Sequence, residues 1–283
     1  MKKLKKIKPT LEIHWANLWI KLLASTSSKN GLVSQKRNTP IIISMTSFPA
    51  RFQFIHLTIE SLLHQSTKPD KIILWLSKKE ASLDSLPNKV KRLQKRGLTI
   101  RFVEENYKPY KKLIYTVQEF PDAHIITCDD DIIYRKDMIE GLVRTHKKYP
   151  NCIIANRCVQ LERNKTGLKL YKELKIATNH TPSFSLLPTG VGGVLYFSNS
   201  LHPDLTNAAL FTKLAPSNDD IWFKAMSLLN NTKIVLVNRK TDSTIPILDS
   251  QEEALWKENV DNGANDRQFN DVFSHYKLFD MIE

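Results

Sequence analysis

The chain has only three cysteines in 283 residues, Cys128, Cys152 and Cys158, and no CxxC pair. An odd count without paired spacing argues against a disulfide framework and a zinc ribbon, and fits a reducing, cytoplasmic compartment. Glycine is scarce, at eight residues. None of them forms a GxxxxGK[ST] loop or a GxGxxG after an expected strand, so ordinary NTPase and dinucleotide readings lack their phosphate cradle. The one candidate targeting segment is the N-terminus, but residues 11–24 carry Glu12, His14 and Lys21. That is too polar and too short for a signal sequence or a membrane span. Internal repeats and low-complexity tracts are absent as well.

What is present begins with an ordinary folded composition, 41% hydrophobic and 25% charged. The formal charge of +13 implies an anionic partner: nucleic acid, a phospholipid surface or phosphorylated small molecules. The lysines are scattered, and neither an RNP-like motif nor a zinc finger occurs, so nucleic acid is not expected. The clustered exception is the start, where the lysines of residues 2–8 precede Leu11, Trp15, Leu18, Trp19, Leu22 and Leu23 at helical spacing. Residues 1–24 therefore read as a basic amphipathic helix. It either lies on an anionic membrane face, placing the protein at the inner surface of the membrane, or packs on its own domain.

Residues 25–40 are polar and rich in turn formers and read as a linker, so that 1–39 is helix plus linker and 40–283 is the domain proper. Continuous β-branched runs at 41–45 and 71–76 predict strands buried on both faces, and 99–103 alternates as a third strand. Helical periodicity over 54–63 and 87–96 lies between them. A helix over 113–120 leads to a fourth strand at 124–128. This βαβαβ opening predicts an α/β fold with a mostly parallel sheet flanked by helices. Later segments read as strands at 152–155, 194–197 and 233–238 and as helices at 219–229 and 267–276.

The fourth strand ends in Asp129-Asp130-Asp131, the end at which open parallel sheets bind ligands. If the backbone stays extended, Asp129 and Asp131 share a side and Asp130 points elsewhere. Adjacent carboxylates repel, and a hard divalent cation such as Mn2+ or Mg2+ relieves that repulsion. An EF-hand is excluded: with Asp129, Asp131 and Glu140 at its first, third and twelfth positions, Ile133 replaces an oxygen ligand and Tyr134 replaces the glycine. Lys111 and Lys112 stand upstream as candidates to neutralise a diphosphate. Gly190, Gly192 and Gly193 permit close backbone approach by a ligand, or equally a bulge or tight bend. Asp219-Asp220 opens an expected helix, where one acid suffices for the dipole and two exceed the need.

These pieces, in order, resemble the nucleotide-sugar glycosyltransferases of the GT-A fold, and among them the family 2-like bacterial enzymes of surface polysaccharide and lipopolysaccharide synthesis. The carriers are residues 41–51, Ile125–Cys128 with the Asp triplet, the stretch 188–196, and Asn218-Asp219-Asp220-Ile221-Trp222. The resemblance implies a single GT-A domain, with 40–135 as the nucleotide-binding half and 136–283 as the acceptor and catalytic half. It implies a nucleotide-sugar donor, a UDP-sugar foremost, and a glycan or glycolipid acceptor. Thr46, Ser47, Phe48 and Arg51 would meet base and ribose. Asp129 and Asp130 would face the nucleotide, and Asp129, Asp131 and His275 would hold the metal. Gly190, Gly192 and Gly193 would border donor sugar and acceptor, and Asp220, beside Asp219, would be the general base of an inverting displacement. A pyrophosphorylase-type nucleotidyltransferase would begin with a Gly-rich loop, and residues 44–51 contain no glycine. A sugar- or nucleotide-binding protein that kept the fold without the chemistry is the non-enzymatic alternative.

Overall fold

The structure, a computed structural model, describes residues 2–164, 167–238, 244–248, 250 and 263–282, and the side chains of the first helix from residue 11 onward. That helix is α1 (Lys2–Thr26). The strand β1 (Ile41–Thr46) lies between β2 (Lys71–Ser77) and β4 (His124–Cys128), parallel to both, with β3 (Leu98–Val103) outside β2. Period-2 alternation sends the β1 side chains to opposite layers. Ile41, Ile43 and Met45 pack with α2 (Ile55–Leu63), α3 (Asn88–Arg92) and α5 (Met138–Lys148). Ile42 packs on the other face, whose layer includes α4 (Lys111–Glu119), α7 (Asp219–Leu229) and the C-terminal α8 (Ala264–Tyr276). Burial of each such isoleucine stabilises the fold by about 1.5–3 kcal/mol. The alternating β3 pattern has a simple cause: β3 is an edge strand, and most of its residues stay half-exposed.

The second half of the sheet adds β6 (Cys152–Ala155), β12 (Val194–Tyr196) and β13 (Lys233–Leu236), giving the order β13-β6-β12-β4-β1-β2-β3. β12 is antiparallel to both neighbours, the one reversal in an otherwise parallel sheet. Sequence gave no sign of it, because a short apolar run reads alike in either direction. Three small sheets surround this core. They pair β5 (Ile132–Tyr134) with β14 (Thr244–Pro246), β7 (Cys158–Gln160) with β10 (Lys175–Ile176) and β11 (Leu186–Pro188), and β8 (Arg163–Asn164) with β9 (Gly167–Leu168). The short α6 (Ala208–Leu214) precedes α7.

Residues 27–40 are irregular, as their composition suggests, but they are not a free connector. Gly31 N–H donates to the Arg96 carbonyl and Val33 N–H to that of Pro69, and Arg37 pairs with Asp70 at 2.6 Å. A Cβ at Gly31 would stand 2.6 Å from the Leu63 backbone, so a side chain there would force the segment off α2. Beneath it Arg96 grips the fully buried Glu60 with two hydrogen bonds of 2.7 Å and also donates to the Lys29 carbonyl.

Candidate active site

The chain does not stay extended after β4: it bends at Asp130 and Asp131, and the expected alternation of the three carboxylates fails. Arg51, one turn beyond β1, donates to Asp130 Oδ1 at 2.6 Å and lies 2.9 Å from Asp131 Oδ2. Ser47 donates to the other Asp130 oxygen at 2.6 Å, and Thr58 to its carbonyl. Asp130 thus binds the strand end to the β1 turn, a structural duty beside the nucleotide contact expected of it. Arg51, with Phe48 against its guanidinium, is likewise turned to carboxylates rather than offered to a ribose. Thr46 uses its hydroxyl on the Trp75 carbonyl.

Asp129 goes the other way. Lys112, in the first turn of α4, donates to Asp129 Oδ1 at 2.8 Å and approaches Asp219 Oδ2 at 3.0 Å. Burial works against this ammonium, but Asp129, Asp219 and Asp220 outweigh it and hold its pKa well above the usual lysine value. The neighbouring Lys111 is no partner in this. It is buried with its ammonium on Asn106, and burial depresses its pKa to about 8. The two neighbouring lysines therefore part company: Lys112 belongs to the carboxylate cluster and Lys111 does not.

Asp219 and Asp220 are free of capping duty, because the Asn218 side chain already accepts from Ile221 N–H at 3.1 Å. Asn218 is in turn held by α8: its amide donates to Asn265, and Gln268 accepts from the backbone N–H groups of Ser217 and Asn218. Both Asp220 oxygens receive the Gly190 N–H, each at 3.1 Å. Burial first, then the charge of Asp219, raises the Asp220 pKa to about 7, against the pull of Lys112. Burial likewise raises Asp219, opposed by Lys112, and raises Asp131 to about 6, opposed by Arg51.

Gly190 is the hub. A Cβ there would lie 2.9 Å from Lys112 Nζ and 3.0 Å from Asp129 Oδ1, so any side chain at this position pushes the Lys112 ammonium and the Asp129 carboxylate away from the loop whose N–H meets Asp220. Gly192 and Gly193 serve that turn differently. The former sits against the Arg157 backbone, and the latter adopts φ 84°, a left-handed value that suits glycine. Beside Gly193 the side-chain amide of Asn156 is buried with neither polar atom hydrogen-bonded among the described residues. Sequence reasoning missed Asn156 because one asparagine after a strand carries no pattern. Gly190→Ala is expected to lower turnover by up to about 10²-fold, since misplacing reacting groups by about 1 Å carries such costs. Steady-state kinetics beside an unchanged circular dichroism spectrum checks this.

His275 does not join the site. It is exposed in the last turn of α8, edge-on to Tyr276, whose hydroxyl donates to Asp204. The α8 residues that reach the α7 start are Asn265 and Gln268, about two to three helical turns and roughly 10–15 Å earlier. The metal-ligand expectation for His275 is corrected accordingly. Among the described residues no group of three or more His, Cys, Asp or Glu is disposed to hold a metal ion. The charge balance nevertheless fits a hard cation. Among the described residues, ion pairs join Asp130 and Asp131 to Arg51 and Asp129 and Asp219 to Lys112, and with Asp220 beside them the five carboxylates exceed these two cations by three charges when all are ionised. An anionic diphosphate is repelled by such a site unless a cation enters with it. One or two carboxylates completed by phosphate oxygens is the usual magnesium arrangement.

A family model described as Glycosyl transferase family 2 matches residues 43–197, more than half of the chain. No curated protein sequence matches. Among solved structures, the crystal structure of TarS 1–349 from S. aureus is similar at 14% identity and a TM-score of 0.52, over 83% of this chain and 72% of that one. The mannosyltransferase PcManGT from Pyrobaculum calidifontis, solved with GDP-Man and Mn2+, aligns at 12% identity and a TM-score of 0.45. That alignment covers 81% of this chain and 64% of the mannosyltransferase, so the chain spans less than two thirds of that relative's length. At these identities structural likeness speaks for the fold, and the TarS match supports a GT-A architecture.

Proposed function

The chain belongs to glycosyl transferase family 2, and on that premise we propose that it moves a sugar from a nucleotide-diphosphate sugar, a UDP-sugar foremost, to a hydroxyl of a glycan or glycolipid acceptor in bacterial surface-polysaccharide synthesis. The observation that carries this reading is the convergence of two acidic runs 90 residues apart. Lys112 spans Asp129 and Asp219, and Gly190 seats Asp220 beside them. Residues 40–135 supply the nucleotide half of this site and 136–283 the acceptor half.

Asp129 and Asp131, the two triplet members less enclosed than Asp130, would hold Mn2+ or Mg2+. Bound there, the cation supplies charge for the departing diphosphate. Asp220 accepts the proton of the acceptor hydroxyl as that oxygen attacks the sugar from the face opposite the leaving group, an inverting course. A pKa near the working pH suits a base, and the Gly190 N–H holds the carboxylate in place. Asn156, packed beside Gly193, would support the loop that borders the sugar.

Calorimetric titration with UDP, GDP and CDP, with and without manganese, tests the reading. One nucleotide is expected to bind only with metal, and Asp131→Ala is expected to abolish that binding. A folded protein that binds none of the three refutes the assignment.

A further inference from the structure

We propose that the outward face of α1 docks this protein on an anionic phospholipid surface. The helix has two unlike faces. Ile20 and Asn17 are buried, and with Ile13, Ala16, Leu23 and Ala24 they seat α1 on Phe54, Leu57, Ile133, Ile245 and Ile247. The seat is fixed by polar contacts too: Asn17 donates to the Pro246 carbonyl and accepts from Leu248 N–H, at 3.0 and 3.1 Å. Intramolecular packing is therefore complete on one side. On the other, Leu11, Trp15, Leu18, Trp19 and Leu22 are each more than half exposed. At 3.6 residues per turn they form one stripe about 100° wide.

A contiguous stripe of that size, with two indoles, exceeds the scattered apolar residues usual on a soluble surface. Its charge selects the occupant. The helix carries lysines at 2, 3, 5, 6, 8 and 21 and a single acid, Glu12, whose carboxylate is taken by Arg135. A second copy of the chain would bring the same positive charge to the contact, whereas an anionic headgroup layer opposes it. Trp at the rim of an apolar face with neighbouring lysines is the pattern of a helix lying in the headgroup region. No helix among the described residues is long and apolar enough to cross a membrane, so α1 rests on the surface rather than entering it. The segment that clasps Asn17 also bonds the site, since Ile247 N–H donates to the Asp131 carbonyl at 2.9 Å. A docked α1 is thus tied to the carboxylate cluster through the segment it seats.

The test is sedimentation of the full chain with vesicles of phosphatidylglycerol and phosphatidylethanolamine, against phosphatidylcholine alone. It is independent of any transferase activity. Binding is expected to the anionic vesicles only. It should weaken by about tenfold in the Trp15→Ser/Trp19→Ser double variant and fall further at about 0.5 M salt. The thermal midpoint should not move, because both indoles already face water. The proposal is overturned by absence of binding to the anionic vesicles or by equal binding of the double variant. It is equally overturned if light scattering shows a dimer that the double substitution dissolves.

Discussion

Asp220→Asn is expected to lower kcat by about 10²–10⁴-fold, the range for loss of a positioned general base, while metal-dependent nucleotide affinity stays at its wild-type value. The asparagine keeps an oxygen for the Gly190 N–H and cannot take the acceptor proton. The pH profile gives the same group a second signature. Burial and Asp219 raise the carboxyl to about 7, so the active, ionised base appears as pH rises through that value, and kcat/KM climbs with it. With Asp129 neutralised by a bound cation one cause of the shift weakens, and the limb lies at or below pH 7. The Asn variant lacks the limb. Its melting temperature should rise, because a carboxyl pushed upward by burial destabilises the fold when ionised. A protein that binds sugar or nucleotide without transferring would show no turnover to lose.

Lys112→Met is expected to be the most destabilising single change in the site, by about 3–5 kcal/mol, the cost of removing one partner from a buried charge cluster. It strips the shared cation from Asp129 and Asp219, while Arg51 stays on Asp130 and Asp131. The deficit depends on pH in a defined direction. Without Lys112 the folded-state pKa values of Asp219 and Asp220, already raised by burial, rise further. Their ionisation penalises the native state above the unfolded aspartate value, and the penalty fades as pH falls and they protonate. Urea denaturation of the variant should therefore show its smallest deficit near pH 5 and its largest near pH 8. Manganese should narrow the gap if Asp129 and Asp131 receive it. An equal deficit at both pH values would mean that Lys112 acts through packing alone.

Much of the fold was readable because particular segments overdetermine it. Ile41–Thr46 and Lys71–Ser77 have no polar face to turn outward, so a two-sided sheet was the available answer. The start of the Asp219–Leu229 helix was legible because two acids suit the positive end of a helix, and the structure adds Asn218 as its cap. The convergence of the Asp triplet with Asp219-Asp220 was available only through resemblance, since local pattern says nothing of contacts across 90 residues. The internal pairing was not legible. Whether Arg51 meets a ribose or a carboxylate depends on a bend at Asp130 and Asp131 that no residue type forces. Whether His275 reaches a metal depends on the path of α8, whose Asn265 and Gln268 hold the α7 start instead.

The reversed strand β12 bears on how the chain is made. Residues 41–128 contain everything needed for the half-sheet β4-β1-β2-β3. The outer edge of β4 is closed only by Val194–Tyr196, nearly 70 residues later in synthesis. During that interval the backbone groups of Ile125 and Ile126 lie along an open apolar edge, the type of surface on which strands of other chains pair. Escape from aggregation is therefore a race between elongation and encounter, lost or won before the helix Asp219–Leu229 has left the ribosome.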